Sequence, residues 1–236
     1  MPKLGKFRRA MRFSRKRRAA KAVRAFKRAR VSRPLRQRTV VNTGQGFPKQ
    51  IVMTHKYSDT IKITSTTSVI QNYLFSCNGM YDPDITGTGH QPMLFDQMTA
   101  LYNHYCVIGS RIKIKVVPSS SFTKAVHCGI YINDNTSSSP ANIGAVAEQP
   151  MGKVVQMAPN TTFAKVLTAS WSAKKFFGKS PLANTDLQGT SLSNPNEQSY
   201  FNFCVQAFDG GTESVAIDVE ISYIAVWKEF IDVAQS

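Results

Sequence analysis

From Ile51 to Val226 apolar side chains return at every second position, in run after run. Ile61 and Ile63 flank Lys62. Val69, Tyr73 and Phe75 alternate with Ser68, Asn72 and Ser76. Ile112, Ile114 and Val116 alternate with Arg111, Lys113 and Lys115. Val126, Cys128, Ile130 and Ile132 alternate with His127 and Tyr131. Phe163, Leu167 and Trp171 share one phase. Phe201, Phe203 and Val205 alternate with Asn202, Cys204 and Gln206, and Val215 to Tyr223 does the same over nine residues. Only an extended backbone sends neighbouring side chains to opposite faces, so each run predicts a strand with one face in a core. Helical spacing occurs in two short places, Phe95–Asn103 and Asn142–Glu148. Turn-rich stretches separate the runs: Asp82 to Gly89, Ser137 to Pro140 and Ser180 to Gln198. The last is too long for a plain hairpin loop. About seven or eight strands with few helices predict an all-β antiparallel sandwich or barrel.

Charge divides the chain differently. Of its 30 basic residues, 17 lie in Met1–Arg38, and the first acidic residue is Asp59. The remaining 13 face all 14 acidic residues, so a +17 segment precedes a body of net −1. A block of like charge repels itself and resists folding alone. It calls for a polyanion. Residues 1–38 are therefore expected to form an arm, disordered when free and partly helical once neutralised. Pro34 ends any helix near Arg33. Residues 39–50, with Gly44, Gly46 and Pro48, form a linker, and 51–236 the folded domain.

Nucleic acid is the partner that best suits the arm. Its candidate contacts are Arg8, Arg9, Arg12, Arg15, Lys16, Arg17, Arg18, Lys21, Arg24, Lys27, Arg28, Arg30, Arg33, Arg36 and Arg38. Arginine predominates, and its planar fork pairs bidentately with phosphate. Nothing in the arm suggests base-edge readout, so binding should be salt-sensitive and sequence-tolerant. Phe7, Phe13 and Phe26 could stack on unpaired bases. The Arg15-Lys16-Arg17-Arg18 run also suits a nuclear import signal. Arg111, Lys113 and Lys115 form a second basic group on one strand face, either solvated or turned to the same polyanion. Lys174, Lys175 and Lys179 form a third, interleaved with Phe176 and Phe177.

Catalysis finds little footing. There is no nucleophile elbow. Gly178-Lys179-Ser180 matches the end of a phosphate loop, but Ala173 stands where the leading glycine is required. His55, His90, His104 and His127 are scattered, and His127 and Cys128 point to opposite faces. Asp82 and Asp84 fall in a turn, and Asp218 and Glu220 on the polar face of a strand; solvated or interface roles are expected for both pairs. Cys77, Cys106, Cys128 and Cys204 each sit in an apolar stretch, as free buried thiols do. No cofactor, metal or catalytic residue is expected. No stretch is apolar enough to span a bilayer, and the N-terminus lacks a secretory h-region.

The most specific stretch is Gly89 to Ser110. It contains Pro92-Met93-Leu94-Phe95-Asp96-Gln97 and Tyr102-Asn103-His104-Tyr105-Cys106-Val107-Ile108-Gly109-Ser110. These resemble a Pro-x-x-(Phe/Tyr)-Asp-Gln helix and a Tyr-x-x-Tyr-x-(Val/Ile)-x-Gly-Ser strand entry. Both occur in capsid proteins of circular Rep-encoding single-stranded DNA viruses, the circovirus-like group. The close match covers 89–110, and the rest of the body matches in pattern only. The resemblance implies a single eight-stranded antiparallel jelly roll of viral capsid type behind a basic N-terminal arm. Its strands would be Ile51–Thr66, Ser68–Ser76, Tyr105–Val117, Lys124–Asn133, Phe163–Trp171, a short one near Lys175–Gly178, Tyr200–Phe208 and Ser214–Val226. It implies a structural protein, not an enzyme. About 60 copies would form a T=1 shell with arms turned inward to single-stranded DNA. About 60 such arms carry on the order of 1,000 positive charges, the right order for a compact genome. The protein would reside in the virion, and in the host nucleus during assembly, where import receptors would read the arm. Charge alone does not choose DNA over RNA, so a small RNA virus capsid remains open. So does a cellular RNA-binding protein with a basic extension, although its globular part would usually be basic too.

Overall fold

The computed structural model describes residues 47–66, 69–119, 123–137, 139–208 and 211–231. Eight strands form there: β1 (Gln50–Thr64), β2 (Gln71–Ser76), β3 (Tyr102–Pro118), β4 (Val126–Asn133), β5 (Lys153–Met157), β6 (Lys165–Ser172), β7 (Tyr200–Ala207) and β8 (Ser214–Phe230). Three short helices interrupt them: α1 (Phe95–Thr99), α2 (Ile143–Glu148) and α3 (Ala173–Phe177). The strands make two four-stranded sheets, ordered β1-β8-β3-β6 and β2-β7-β4-β5. Every pairing is antiparallel. The chain changes sheet at nearly every connection, so each sheet interleaves early and late strands. That order is the jelly roll, a double Greek key that packs two sheets face to face.

The alternation read in the sequence sorts residues between core and surface. Ile112, Ile114 and Val116 of β3 and Val215 to Tyr223 of β8 turn inward, meeting Phe75, Val126, Cys128, Ile130, Phe201, Phe203 and Val205 of the other sheet. β7 departs from alternation because both of its faces are covered. Outside it, Ile70, Tyr131, Val146 and Cys204 form a second cluster beneath α2. Asn142 caps α2, accepting from the Ala145 N–H, a favourable N-cap arrangement. Gly129 lets α2 approach: a Cβ there would lie 2.8 Å from a Val146 methyl and 3.0 Å from Cys204 Sγ. All four cysteines are free and buried.

Four expectations are corrected. The strand expected near Lys175–Gly178 is helix α3, ended by Gly178 at φ 70°. A helical turn folds Phe177 back edge-on to Trp171, ring centres 6.1 Å apart, which an extended run would not allow. The missing strand is β5, whose Val154-Val155 pair was hidden because Val154 faces outward and only Met157 is buried. Phe163 does not join Leu167 and Trp171 in the core; it precedes β6 and is 77% exposed. Val69 likewise precedes β2 and is exposed. Helix α1 ends at Thr99 and not Asn103, because Tyr102 enters β3, donates to the Pro48 carbonyl and packs edge-on against Phe230.

Candidate polyanion-binding face

The arm, with its fifteen named contacts from Arg8 to Arg38, lies outside the described residues, as do linker positions 39–46. The linker's last residues are described. Phe47 stacks on Phe230 at 5.3 Å, and Gln50 already pairs with Lys228 in the sheet.

Arg111, Lys113 and Lys115 are exposed on the outer face of the β1-β8-β3-β6 sheet, while Ile112, Ile114 and Val116 between them are fully buried. The β8 register sets Glu220 opposite Lys113 and Asp218 opposite Lys115. Both pairs close, at 3.1 and 3.5 Å. All four side chains are about half exposed, so each pair contributes only about 0–1 kcal/mol and is open to exchange for phosphate. Asp218 and Glu220 thus occupy the polar strand face expected of them. Arg111 differs: its cross-strand neighbours are Ser222 on β8 and Ser170 on β6. It has no carboxylate partner among the described residues.

Two further cations share this face. Lys56 lies opposite Ser222 from the β1 side, in the same row as Arg111, and Lys62 lies opposite Ala216. Adjacent strands are about 4.8 Å apart, so Lys56 and Arg111 bracket Ser222 across about 10 Å. Five cations against Asp218 and Glu220 give this stretch a net charge of +3. Alternation within Ile51–Thr66 was the signal for Lys56 and Lys62, since residues sharing a strand phase share a sheet face.

The Gly89–Ser110 segment is a structural clip. The Met93 N–H donates to the Lys56 carbonyl, and His90 Nε2 lies 3.0 Å from the Ser58 carbonyl, so the segment lines the outer edge of β1. Leu94 turns the chain at φ 68° into α1. Phe95 is buried against Tyr105 and Trp227. His55 beneath it is 1% exposed. Its Nε2 accepts from Trp227 Nε1–H at 2.9 Å, so its Nδ1–H must donate to the Met93 carbonyl at 3.0 Å. That tautomer is neutral, and burial holds the imidazole pKa below its ordinary value against the opposing pull of the Met93 carbonyl. Tyr105 accepts from the Met80 and Tyr81 N–H groups, Ser110 donates to the Cys77 carbonyl, and a Cβ on Gly189 would fall inside the Tyr105 ring.

Other candidate chemistry is absorbed by structure. Of the solvated or interface roles expected of the turn pair, Asp84 does not take the solvated one: it is 1% exposed. It accepts from the Tyr73 hydroxyl at 2.6 Å and from the Thr86 N–H and hydroxyl. Burial, with Asp84 nearby, pushes the Asp82 carboxyl up. Burial also pushes the Cys106 thiol up to about 11 and Cys204 to about 12, leaving both protonated and unreactive at neutral pH. Among the described residues no three His, Cys, Asp or Glu side chains gather as metal ligands, and no helix is long and apolar enough to cross a membrane.

No family profile and no curated protein matches this sequence. The solved structures similar to it include Desmodium yellow mottle tymovirus, at 12% identity over 81% of this chain and 88% of that one, with a TM-score of 0.41. Mud crab tombus-like virus is similar at 14% identity over 82% and 96%, with a TM-score of 0.45. The BFDV capsid protein, solved as a 60-mer, is similar at 7% identity over 80% and 100%, with a TM-score of 0.43.

Proposed function

We propose that this chain is a viral capsid protein whose jelly-roll body self-assembles into a small icosahedral shell and whose arm packages single-stranded DNA by neutralising its phosphates. The observation that carries this reading is the division of charge: 17 cations and no carboxylate in Met1–Arg38, against a body of net −1 folded as a jelly roll. A body of net −1 packs against its own copies with little mutual repulsion, while the arm has no reason to be so basic without a polyanion. Arg111, Lys113 and Lys115 provide a second contact, with Lys56 and Lys62 beside them. About 60 copies in T=1 symmetry, the circovirus-like kinship and the choice of DNA rest on the Pro92–Gln97 and Tyr102–Ser110 resemblance. The Arg15–Arg18 run directs nuclear import.

The test is to replace Arg15, Lys16, Arg17 and Arg18 with glutamine in the full chain and measure nuclease-resistant nucleic acid in purified particles. The expected result is particles of unchanged size with less nucleic acid, and a tagged variant that no longer accumulates in the nucleus. Undiminished nucleic acid would refute packaging by the arm. DNA rather than RNA in wild-type particles would support the DNA reading, and RNA would favour the capsid of a small RNA virus.

A further inference from the structure

The two flanks of the sandwich are finished differently. On the β1/β2 flank both strand edges are covered by the chain that follows β2. Met93 and His90 bond the β1 edge, and on the β2 edge the Ser76 N–H donates to Pro83 while Ile85 donates to Leu74. On the opposite flank β5 and β6 bound their sheets, and among the described residues neither outer edge has a backbone partner. An open edge invites another strand unless something discourages it. Lysine does so here. The Lys153 ammonium reaches from β5 to the Thr168 carbonyl midway along β6, and Lys165 stands at its start.

This flank has a second property. Between Glu148 and Asp186 the chain contains five lysines and no carboxylate. Lys165 opens β6, the Lys153 ammonium reaches its middle from β5, and Lys174 and Lys175 on α3 with Lys179 after it follow its far end. The strand between spans about 27 Å. None of these five lysines has an ion-pair partner among the described residues; Lys153 donates to the Thr168 carbonyl. Exposed aromatic rings stand at both ends, Phe163 at 77% and Phe176 at 37%.

We propose that the β5/β6 flank is a second binding surface for a single-stranded polynucleotide, separate from the arm. The lysines would follow the phosphodiester backbone, and Phe163 and Phe176 would stack on unpaired bases. A group of lysines free of carboxylates, with exposed rings at Phe163 and Phe176 among them, matches this partner, because every nucleotide offers a negative charge and a flat base. A strand of a second copy matches less well, since Lys153 already occupies the edge carbonyl it would need. RNA and DNA share this chemistry.

Amine acetylation footprinting of the full chain, with oligothymidine or oligouridine as the probe, tests the proposal residue by residue. Oligonucleotide should slow modification of Lys165, Lys174, Lys175 and Lys179 several-fold; the stronger protection of the two identifies the preferred sugar. Protection of arm lysines such as Lys16 and Lys21 with none on the flank would overturn this proposal and leave the arm's role intact. Loss of both would overturn the packaging reading itself. Flank protection that depends on protein concentration and not on oligonucleotide would overturn it in favour of a contact between copies. As a second measure, glutamine at these four lysines should reduce the slope of log affinity against log salt by roughly 3, at about 0.7 per lost phosphate contact. An unchanged slope in the folded variant would also overturn it.

Discussion

His55 and Glu213 are single residues whose surroundings set how stability follows pH. His55 is neutral when folded, and protonation would set its Nε2–H against the Trp227 N–H. Its pKa lies below the ordinary 6.5, so above that value its contribution is complete. As pH falls below 6.5 the unfolded chain takes up the proton first, and stability declines. A shallow loss of Tm should therefore begin near pH 6.5 in the wild type. It should be largely absent in His55→Gln, whose amide can both accept from Trp227 and donate to Met93. Equal slopes in the two proteins would refute this. Glu213 acts lower on the scale. Its Oε1 accepts from the Thr123 N–H and hydroxyl and the Lys124 N–H, joining the turns after β3 and before β8. Burial opposes ionisation, but these donors outweigh it and leave the pKa below 4.5. Its contribution is complete above that value and is lost as pH falls through the folded pKa. Glu213→Gln should remove a second, more acidic step in the same melting series. Gly129 is decided by space. Gly129→Ala would press on Val146, Cys204 and Ile143 and should cost about 1–3 kcal/mol. Differential scanning calorimetry should read that as a loss of about 2–4 °C per kcal/mol, and an unchanged Tm would mean that α2 moves freely.

At the scale of elements, strands with one dry and one wet face were legible residue by residue, one with two dry faces only as a strand, and one with almost no dry face not at all. β3 and β8 alternate because their outer face meets solvent and ions, and their cores were readable residue by residue. β7 was readable as a strand, but the burial of Asn202 and Cys204 was not, since it depends on α2 arriving from far along the chain. β5 is an edge strand with one fully buried residue, and its pattern was too short to rise above its surroundings. Lys174–Phe177 could have been either element. What decides is Trp171, which gives Phe177 a partner only if the backbone coils. The basic face was half legible for the same reason: Arg111, Lys113 and Lys115 share one strand, whereas Lys56 joins them only through β8. A consequence follows for the clip on β1. Phe95→Ala removes the ring between Tyr105 and Trp227 and should cost about 3–5 kcal/mol. Amide hydrogen exchange should then rise at Lys56–Ser58 and Met93 ahead of the rest of the sheet. Uniform exchange would show that the clip has no stability of its own.

At the scale of the whole molecule the arm and the body are opposites, and each accounts for the other. The body spends its hydrophobic residues on a two-sheet core, guards one flank with its own chain and the other with lysine, and keeps its net charge near zero. The arm has almost nothing to bury and carries the charge the body lacks. Under the proposed function such a division serves to gather copies around a polyanion, and it makes arm and body separable in experiment. Imaging the full chain and a variant lacking Met1–Arg38 side by side, by negative-stain microscopy with nucleic acid supplied, tests that most directly. The account predicts uniform closed shells from the full chain, and from the truncated chain a folded body that self-associates but retains little nucleic acid. A full chain that stays monomeric and ignores nucleic acid at every salt concentration would contradict it.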